Sequence, residues 1–128
     1  MTAPSFEPST TDLVSVHVSV TGPSAVVTAA GEIDSTSAPV LGDRLEALLD
    51  DSIGNVTVDL TAVSFLDSAG LCVLAAAHRR AAGQGIELRV LASSRAVIRP
   101  LQITGLWNLL NAEQVEAGGG DRQSVGAV

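Results

Sequence analysis

Apolar and polar residues alternate strictly near the start of the chain. Between residues 14 and 20 every second residue is valine, and the residues between the valines are polar. This period of two predicts a strand with one apolar and one polar face. The segment Thr21-Gly22-Pro23-Ser24 is typical of a turn, and residues 25–30 are mostly apolar. Because the connection is short, we expect the two strands to pair as an antiparallel hairpin.

Helices and strands alternate after the hairpin. The segment Gly31-Glu32-Ile33-Asp34-Ser35 is expected to break the second strand, and leucines at helical spacing follow it, with Ser37 as the expected N-cap. Strands that alternate with helices form parallel crossover units, so the sheet should be mixed. The predicted elements are helices at residues 37–51, 68–82 and 94–104 and strands at residues 55–60 and 86–90.

These elements predict one α/β domain, because 128 residues suit a single core. Most strands carry polar residues at alternate positions, so we expect helices mainly on one face of a mixed four- to five-stranded sheet. A last strand is expected at about 106–110. The ends are rich in Pro, Ser, Thr or Gly, which predicts flexible tails at residues 1–11 and 117–128 around a folded domain at 12–116.

Composition limits the partners and the cellular location that we expect for the protein. The formal net charge is −7, and the basic residues form no cluster longer than Arg79-Arg80, so nucleic acid is not an expected partner. The single cysteine, Cys72, excludes an intrachain disulfide and a multi-cysteine metal site. Neither a secretory signal nor an uninterrupted apolar span occurs. We therefore expect a cytoplasmic protein that does not bind membranes.

The predicted topology suggests where a site lies. In parallel crossover sheets, the loops after the carboxyl ends of the strands gather at one edge and carry the functional residues. Three such loops contribute polar side chains, which are Glu32 and Asp34, then Asp67 and Ser68, and finally Ser94. We expect these side chains to share one edge of the sheet.

Asp67 and Ser68 stand at the predicted start of the second helix. Backbone N–H groups there lack partners and the helix dipole is positive, so a phosphate on Ser68 is tolerated, although Asp67 opposes it. Two interpretations are open. The Asp-Ser pair is a helix cap, which local spacing by itself favours, or Ser68 is a regulatory phosphoacceptor.

A hydrolytic enzyme is disfavoured although Ser, His and Asp are all present. His78 lies ten residues after Ser68 on the same predicted helix, about 15 Å along its axis, and His17 lies in the middle of a strand. No glycine-rich nucleotide cradle occurs. We expect neither catalysis nor a bound metal or intrinsic cofactor. Cys72 is interpreted as a small buried core residue, with an exposed redox-active thiol as the alternative.

Two segments resemble signatures of a known family. Gly31-Glu32-Ile33-Asp34 is similar to the first signature of the STAS-domain anti-sigma factor antagonists. The segment from Val58 through Phe65-Leu66-Asp67-Ser68-Ala69-Gly70-Leu71 is similar to the second. The resemblance covers about residues 12–111 and implies the STAS fold.

The resemblance also implies a function. In that family the serine after the motif's aspartate is phosphorylated by an anti-sigma factor that is itself a kinase, which points to Ser68. The unphosphorylated form binds this kinase and frees the sigma factor, and a serine phosphatase resets the switch. ATP and magnesium then belong to the kinase. The alternative is a STAS scaffold that binds protein partners or a small ligand without phosphorylation.

Ala69 departs from the family pattern, since many members have a second Ser or Thr there, and this narrows the phosphoacceptor to Ser68. The C-terminus also departs, because the family's closing helix is short or replaced by a glycine-rich tail. The residues expected to form the partner-binding surface are Glu32, Asp34, Asp67, Ser68, Ala69, Gly70 and Ser94.

Overall fold

The structure is a computed structural model that describes residues 9–10, 13–49 and 52–116. Within these residues, six strands form one sheet and four helices pack with it. The strands are β1 (Ser9–Thr10), β2 (Val14–Thr21), β3 (Ser24–Ile33), β4 (Asn55–Leu66), β5 (Glu87–Ala92) and β6 (Ala112–Gln114), and the helices are α1 (Ala38–Leu48), α2 (Ser68–Gly83), α3 (Arg95–Ile103) and α4 (Leu106–Leu109).

The sheet has the strand order β1-β2-β3-β4-β5-β6. The pairs β1–β2 and β2–β3 are antiparallel, and β3, β4, β5 and β6 run parallel to one another. The predicted α/β class and mixed sheet are therefore confirmed. Strand β1 lies inside the segment 1–11 that was expected to be a tail, whereas residues 1–8 and the expected tail 117–128 lie outside the described residues.

Valines at matching positions form a row across the sheet. Val18 pairs with Val27, Val27 with Val58, and Val58 with Val90. The last three side chains are completely buried, whereas Thr28 on the opposite face is exposed. Burial of these branched side chains provides the main driving force for folding. The helices thus cover mainly one face, as the alternation predicted.

Strands β3 and β4 are longer than predicted because bulges let them continue. Strand β3 runs through Gly31-Glu32-Ile33, where a break was expected, and β4 continues six residues past the predicted end at residue 60. At two places β4 contains one more residue than β3, which re-aims the side chains that follow. These register shifts lie between the pairs Thr28–Asp59 and Ala30–Ala62 and between the pairs Gly31–Val63 and Glu32–Phe65.

The prediction of a last strand at 106–110 is wrong. Residues Leu106–Leu109 form the short helix α4, and the strand comes later, as β6. The Leu110 N–H donates to the Leu106 carbonyl at 2.8 Å, and Leu110 is completely buried. Leu106 and Leu110, which are four residues apart, therefore lie on one helical face toward the core, whereas Leu109 is 49% exposed.

Gly31 lets the backbone of Leu13, just before β2, approach β3 closely. Its φ is +111°, and a Cβ added there would overlap the carbonyl oxygen of Leu13. The same oxygen accepts a hydrogen bond from the Glu32 N–H at 2.9 Å. A side chain at residue 31 would therefore break this contact and strain the backbone.

We expect Gly31→Ala to lower the free energy of unfolding by about 2–4 kcal/mol, because overlap with backbone and an unfavourable φ act together. Gly83→Ala is the matched control, since nothing lies within 4 Å of a Cβ at that helical position. That variant should be neutral or stabilising by up to about 1 kcal/mol. Urea denaturation of both variants checks this, and equal stabilities would contradict it.

Candidate functional site

The carboxyl ends of β3 and β4 lie side by side. Ile33 and Leu66 are the last paired residues of the two strands, and Asp34 and Asp67 follow them directly. The Asp67 N–H donates to the Ile33 carbonyl at 3.1 Å, which ties the two loops together. The prediction that these two loops share one edge of the sheet is therefore right.

Asp34 organises the first loop. Its Oδ1 accepts hydrogen bonds from the N–H groups of Thr36 at 2.9 Å and Ser37 at 3.1 Å. Ser37 occupies the N-cap position of α1, as expected, but its hydroxyl does not cap the helix. Instead, the buried hydroxyl donates to the Glu32 carbonyl at 2.7 Å and accepts from the Asp34 N–H at 2.9 Å. This loop is therefore closed by its own side chains.

The hydrogen bonds on Asp34 also set its charge. The pKa of Asp34 lies below its ordinary value of 3.8, mainly because its carboxylate accepts a hydrogen bond from the backbone N–H of Ser37. Partial desolvation acts in the opposite direction. Since hydrogen bonds to the ionised form favour it, Asp34 is a carboxylate at neutral pH. The site therefore carries this negative charge at neutral pH.

The lowered pKa of Asp34 predicts a pH dependence. Its contribution to stability is fully present above the unfolded-state pKa and is lost as the pH falls through the lower native pKa. We expect the stability advantage of wild type over Asp34→Asn to be constant near neutrality and to shrink in acid. The carboxyl carbon of Asp34, followed by NMR, should titrate at lower pH in the native than in the urea-unfolded chain. Equal midpoints would refute the assignment.

Asp67, and not Ser68, caps helix α2. Asp67 is extended, and its Oδ1 accepts from the N–H groups of Ala69 at 2.9 Å and Gly70 at 3.5 Å. Ser68 is the first helical residue, and its side chain is exposed. The capping interpretation therefore accounts for Asp67 and leaves the Ser68 hydroxyl without that structural role.

Gly70 brings the start of α2 against the strand ends. The residue is buried, and a Cβ there would overlap the Leu66 side chain and lie 2.8 Å from Cγ2 of Ile33. Ala69 beside it is half-buried. Of these two predicted contact residues, Gly70 acts by positioning Ser68 and exposes little surface of its own.

Phe65 is a candidate contact residue that the sequence analysis did not single out. It is 46% exposed, and its register partner on β3 is the exposed residue Glu32. The second bulge turns Phe65 outward, since the buried residues of this stretch are Val63 and Leu66. A run of five residues, 62–66, that fits neither a strand alternation nor a helix was the signal for such a bulge.

Ser94 does not join this site. Strand β5 pairs with β4 only up to Asp59, and the Ser93 hydroxyl donates to the Thr61 carbonyl at 2.9 Å. This loop therefore lies about 15 Å from Asp34, or five strand positions. The Ser94 hydroxyl oxygen is buried and forms no hydrogen bond with the described residues. The expectation of a common edge is wrong for Ser94, and its role in partner binding stays a prediction.

Cys72 lies one turn after Ser68 on α2 and is exposed, so its interpretation as a buried core residue is wrong. The alternative of a redox-active thiol stays open. His78 is on the same helix as Ser68, ten residues further along, and His17 is exposed on β2. Neither histidine is placed to take a proton from Ser68. Among the described residues, no three His, Cys, Asp or Glu side chains form a group that could hold a metal ion.

The family model for the STAS domain matches residues 15–117. A relative from Mycobacterium tuberculosis, the anti-sigma-F factor antagonist RsfB, is 34% identical over 95 residues, which cover 74% of this chain and 77% of the relative. The anti-sigma-B factor antagonist of Bacillus subtilis is 36% identical over 93 residues, which cover 73% of this chain and 84% of the relative. The chain therefore belongs to the STAS-domain family of anti-sigma factor antagonists.

Solved structures agree with this assignment. The crystal structure of an anti-sigma factor antagonist from Mycobacterium paratuberculosis superposes with a TM-score of 0.72 at 34% identity, over 81% of this chain and 88% of that one. SpoIIAA in its unphosphorylated form has a TM-score of 0.69 at 17% identity, over 79% of this chain and 88% of that one, which supports the fold alone. No helix in the described part of the chain has the length and apolar character needed to span a membrane.

Proposed function

We propose that this protein is a phosphorylation-controlled switch. Unphosphorylated, it binds an anti-sigma factor that is also a serine kinase and so releases a sigma factor, and phosphorylation of Ser68 ends this binding. The observation that carries the proposal is the exposed Ser68 side chain at the first position of α2, where Asp67 already supplies the cap. The relatives' names, which are antagonists of anti-sigma factors, support the kind of partner.

Ser68 is the best placed hydroxyl of the site. Ala69 offers no competing hydroxyl, and Ser37 is buried within hydrogen bonds of the Asp34 loop. Ser64 is exposed, but its hydroxyl donates to the Gly31 carbonyl at 3.3 Å. Ser35 is the remaining exposed serine of the two loops. Ser68 is therefore the most accessible serine for a kinase that reaches the start of α2.

Phosphorylation would change the surface more than the fold. A phosphate adds about −1.5 to −2 charge beside the carboxylates of Asp67 and Asp34, in a region that also exposes Glu32. The positive end of the α2 dipole offsets part of this charge. The domain stays folded, while any partner surface that packs on Phe65 and Ser68 meets a repulsive anion.

The remaining parts of the switch lie in other proteins. ATP and magnesium would be bound by the kinase, and a serine phosphatase would restore Ser68. This chain would then be a substrate and binding module, with no catalytic activity of its own. We place it in the cytoplasm, where sigma factors act.

The switch is tested by incubating the protein with the anti-sigma factor kinases of its own organism and ATP. Intact mass should increase by one phosphate in wild type and in Ser35→Ala, and should not change in Ser68→Ala. In pull-downs, Ser68→Ala should keep binding the kinase and Ser68→Glu should lose at least about tenfold in affinity.

Two results would count against the switch. One is a phosphate that persists in Ser68→Ala, which would place the phosphoacceptor elsewhere. The other is an unmodified wild type with every kinase, together with full binding by Ser68→Glu. That second result would favour a STAS scaffold that binds partners without phosphorylation.

Phe65 should contribute to the same partner surface. We expect Phe65→Ala to weaken kinase binding by about tenfold or more, since exposed aromatic side chains commonly dominate interfaces. The thermal stability of the Phe65→Ala variant should be close to that of wild type, because the Phe65 side chain is 46% exposed. Val26→Ala is the matched control, as Val26 is 40% exposed and lies near the amino end of β3. If calorimetry gives the two variants equal affinities for the kinase, Phe65 does not belong to the partner-binding surface.

A further inference from the structure

Charge is distributed unevenly along this acidic chain. Residues 88–112 contain three arginines and no Asp or Glu, although the formal net charge of the whole chain is −7. Arg89 forms an ion pair with Glu113 at the edge of the sheet. Arg95 and Arg99 are exposed on helix α3, and the ion pairs found within 13–49 and 52–116 include neither of them. Helix α3 is therefore a basic strip on a negatively charged protein.

The same helix exposes apolar surface beside the two arginines. Ala96, Pro100 and Ile103 lie at the i, i+4, i+7 spacing of one helical face. Ile103 is 75% exposed, more than any other large hydrophobic residue of the described part of the chain. These residues line a shallow groove of about 620 Å³ together with Arg95, Arg99 and Thr104.

The inner face of α3 is already used by the fold. Val97, Ile98 and Leu101 are buried in the core, so the helix is held in place and its outer face is not an unpacked part of that core. An exposed apolar strip between charged residues is typical of a binding surface. We call the outer residues Ala96, Arg95, Arg99, Pro100 and Ile103 the α3 strip.

We propose that the α3 strip binds an acidic amphipathic helix of a partner protein. Apolar residues of that helix would cover Pro100 and Ile103, and its carboxylates would pair with Arg95 and Arg99, whose guanidinium groups suit bidentate contacts with carboxylates. An anionic membrane fits less well, because the inner face of α3 is committed to the core and the outer face offers one large apolar side chain.

The α3 strip is separate from the Ser68 site. Helix α3 begins beside Thr61, about 15 Å from the Asp34 loop along the strands. A partner at the α3 strip can therefore bind together with a partner at Ser68. The inference does not depend on the phosphorylation switch.

The test uses the full chain and a fluorescein-labelled four-turn helical peptide with leucines at i, i+4, i+7 spacing and glutamates on both flanks. A second peptide carries lysines in place of the glutamates. We expect saturable binding of the glutamate peptide by anisotropy, weaker at high salt, and at least about tenfold weaker for both Arg99→Glu and Ile103→Glu. Arg79→Glu, at an exposed arginine of α2, should bind as wild type does. Circular dichroism checks that each variant is folded. If Ile103→Glu is unfolded, the affinity of Arg99→Glu decides the test.

Several outcomes would overturn the inference. Absence of saturable binding, or equal binding of the lysine peptide, excludes an acidic helix. Sedimentation that shows a wild-type dimer dissociated by Ile103→Glu would assign the strip to a second copy of the chain. Binding to phosphatidylglycerol vesicles that is lost in Ile103→Glu would assign it to a membrane. Peptide binding that occurs only after deletion of residues 117–128 would assign it to the chain's own terminal segment.

Discussion

The parallel pairing of β3 with β4 is the contact on which the site depends. It ends at Ile33 and Leu66, so the residues that follow, Asp34 and Asp67, leave the sheet as neighbours. Two close approaches make this ending possible. At Gly31 the carbonyl of Leu13 passes where a side chain would be, and at Gly70 helix α2 packs directly on the strand ends. A side chain at Gly70 would separate α2 from the strand ends, and one at Gly31 would displace Leu13 from β3.

Near this contact, some polar residues form the hydrogen bonds that hold the loops, and others stay exposed to solvent. Asp34 and Ser37 close one loop through hydrogen bonds, and Asp67 caps α2. Because these groups satisfy the backbone, the Ser68 hydroxyl and the Phe65 ring remain available to a partner. A phosphate on Ser68 would then add charge beside loops that are already closed by their own hydrogen bonds.

The stagger of the strands separates two surfaces. Strand β5 stops beside Asp59, whereas β4 continues to Leu66, so helix α3 begins midway along the sheet and α2 begins at its end. The acidic region around Ser68 and the basic α3 strip consequently face different parts of space. The two proposed partner surfaces therefore carry opposite charge, which would limit competition between partners.

Local patterns determined much of the fold. The alternating valines of β2, the leucine spacing of α1 and the glycine that follows α2 specified the order of elements, because burial of one face requires a period of two in strands and about 3.6 in helices. The proximity of the Asp34 and Asp67 loops also followed, since crossover connections place the loops after neighbouring parallel strands at one edge. The hypothesis that Ser68 is the phosphoacceptor came from the resemblance of the signatures, whereas local spacing favoured a helix cap.

Only the tertiary structure decided which of Asp67 and Ser68 is the cap, that Phe65 points outward, and that Ser94 lies away from the site. The last two depend on register: each of the two extra residues in β4 reverses the alternation, which turns Phe65 outward, and the early end of the β4–β5 pairing shifts the Ser94 loop. Register results from the packing of strands that are distant in sequence, so no local pattern encodes it. Likewise, residues 106–110 became a helix because Leu110 is buried through helical spacing, with the edge strand left to β6.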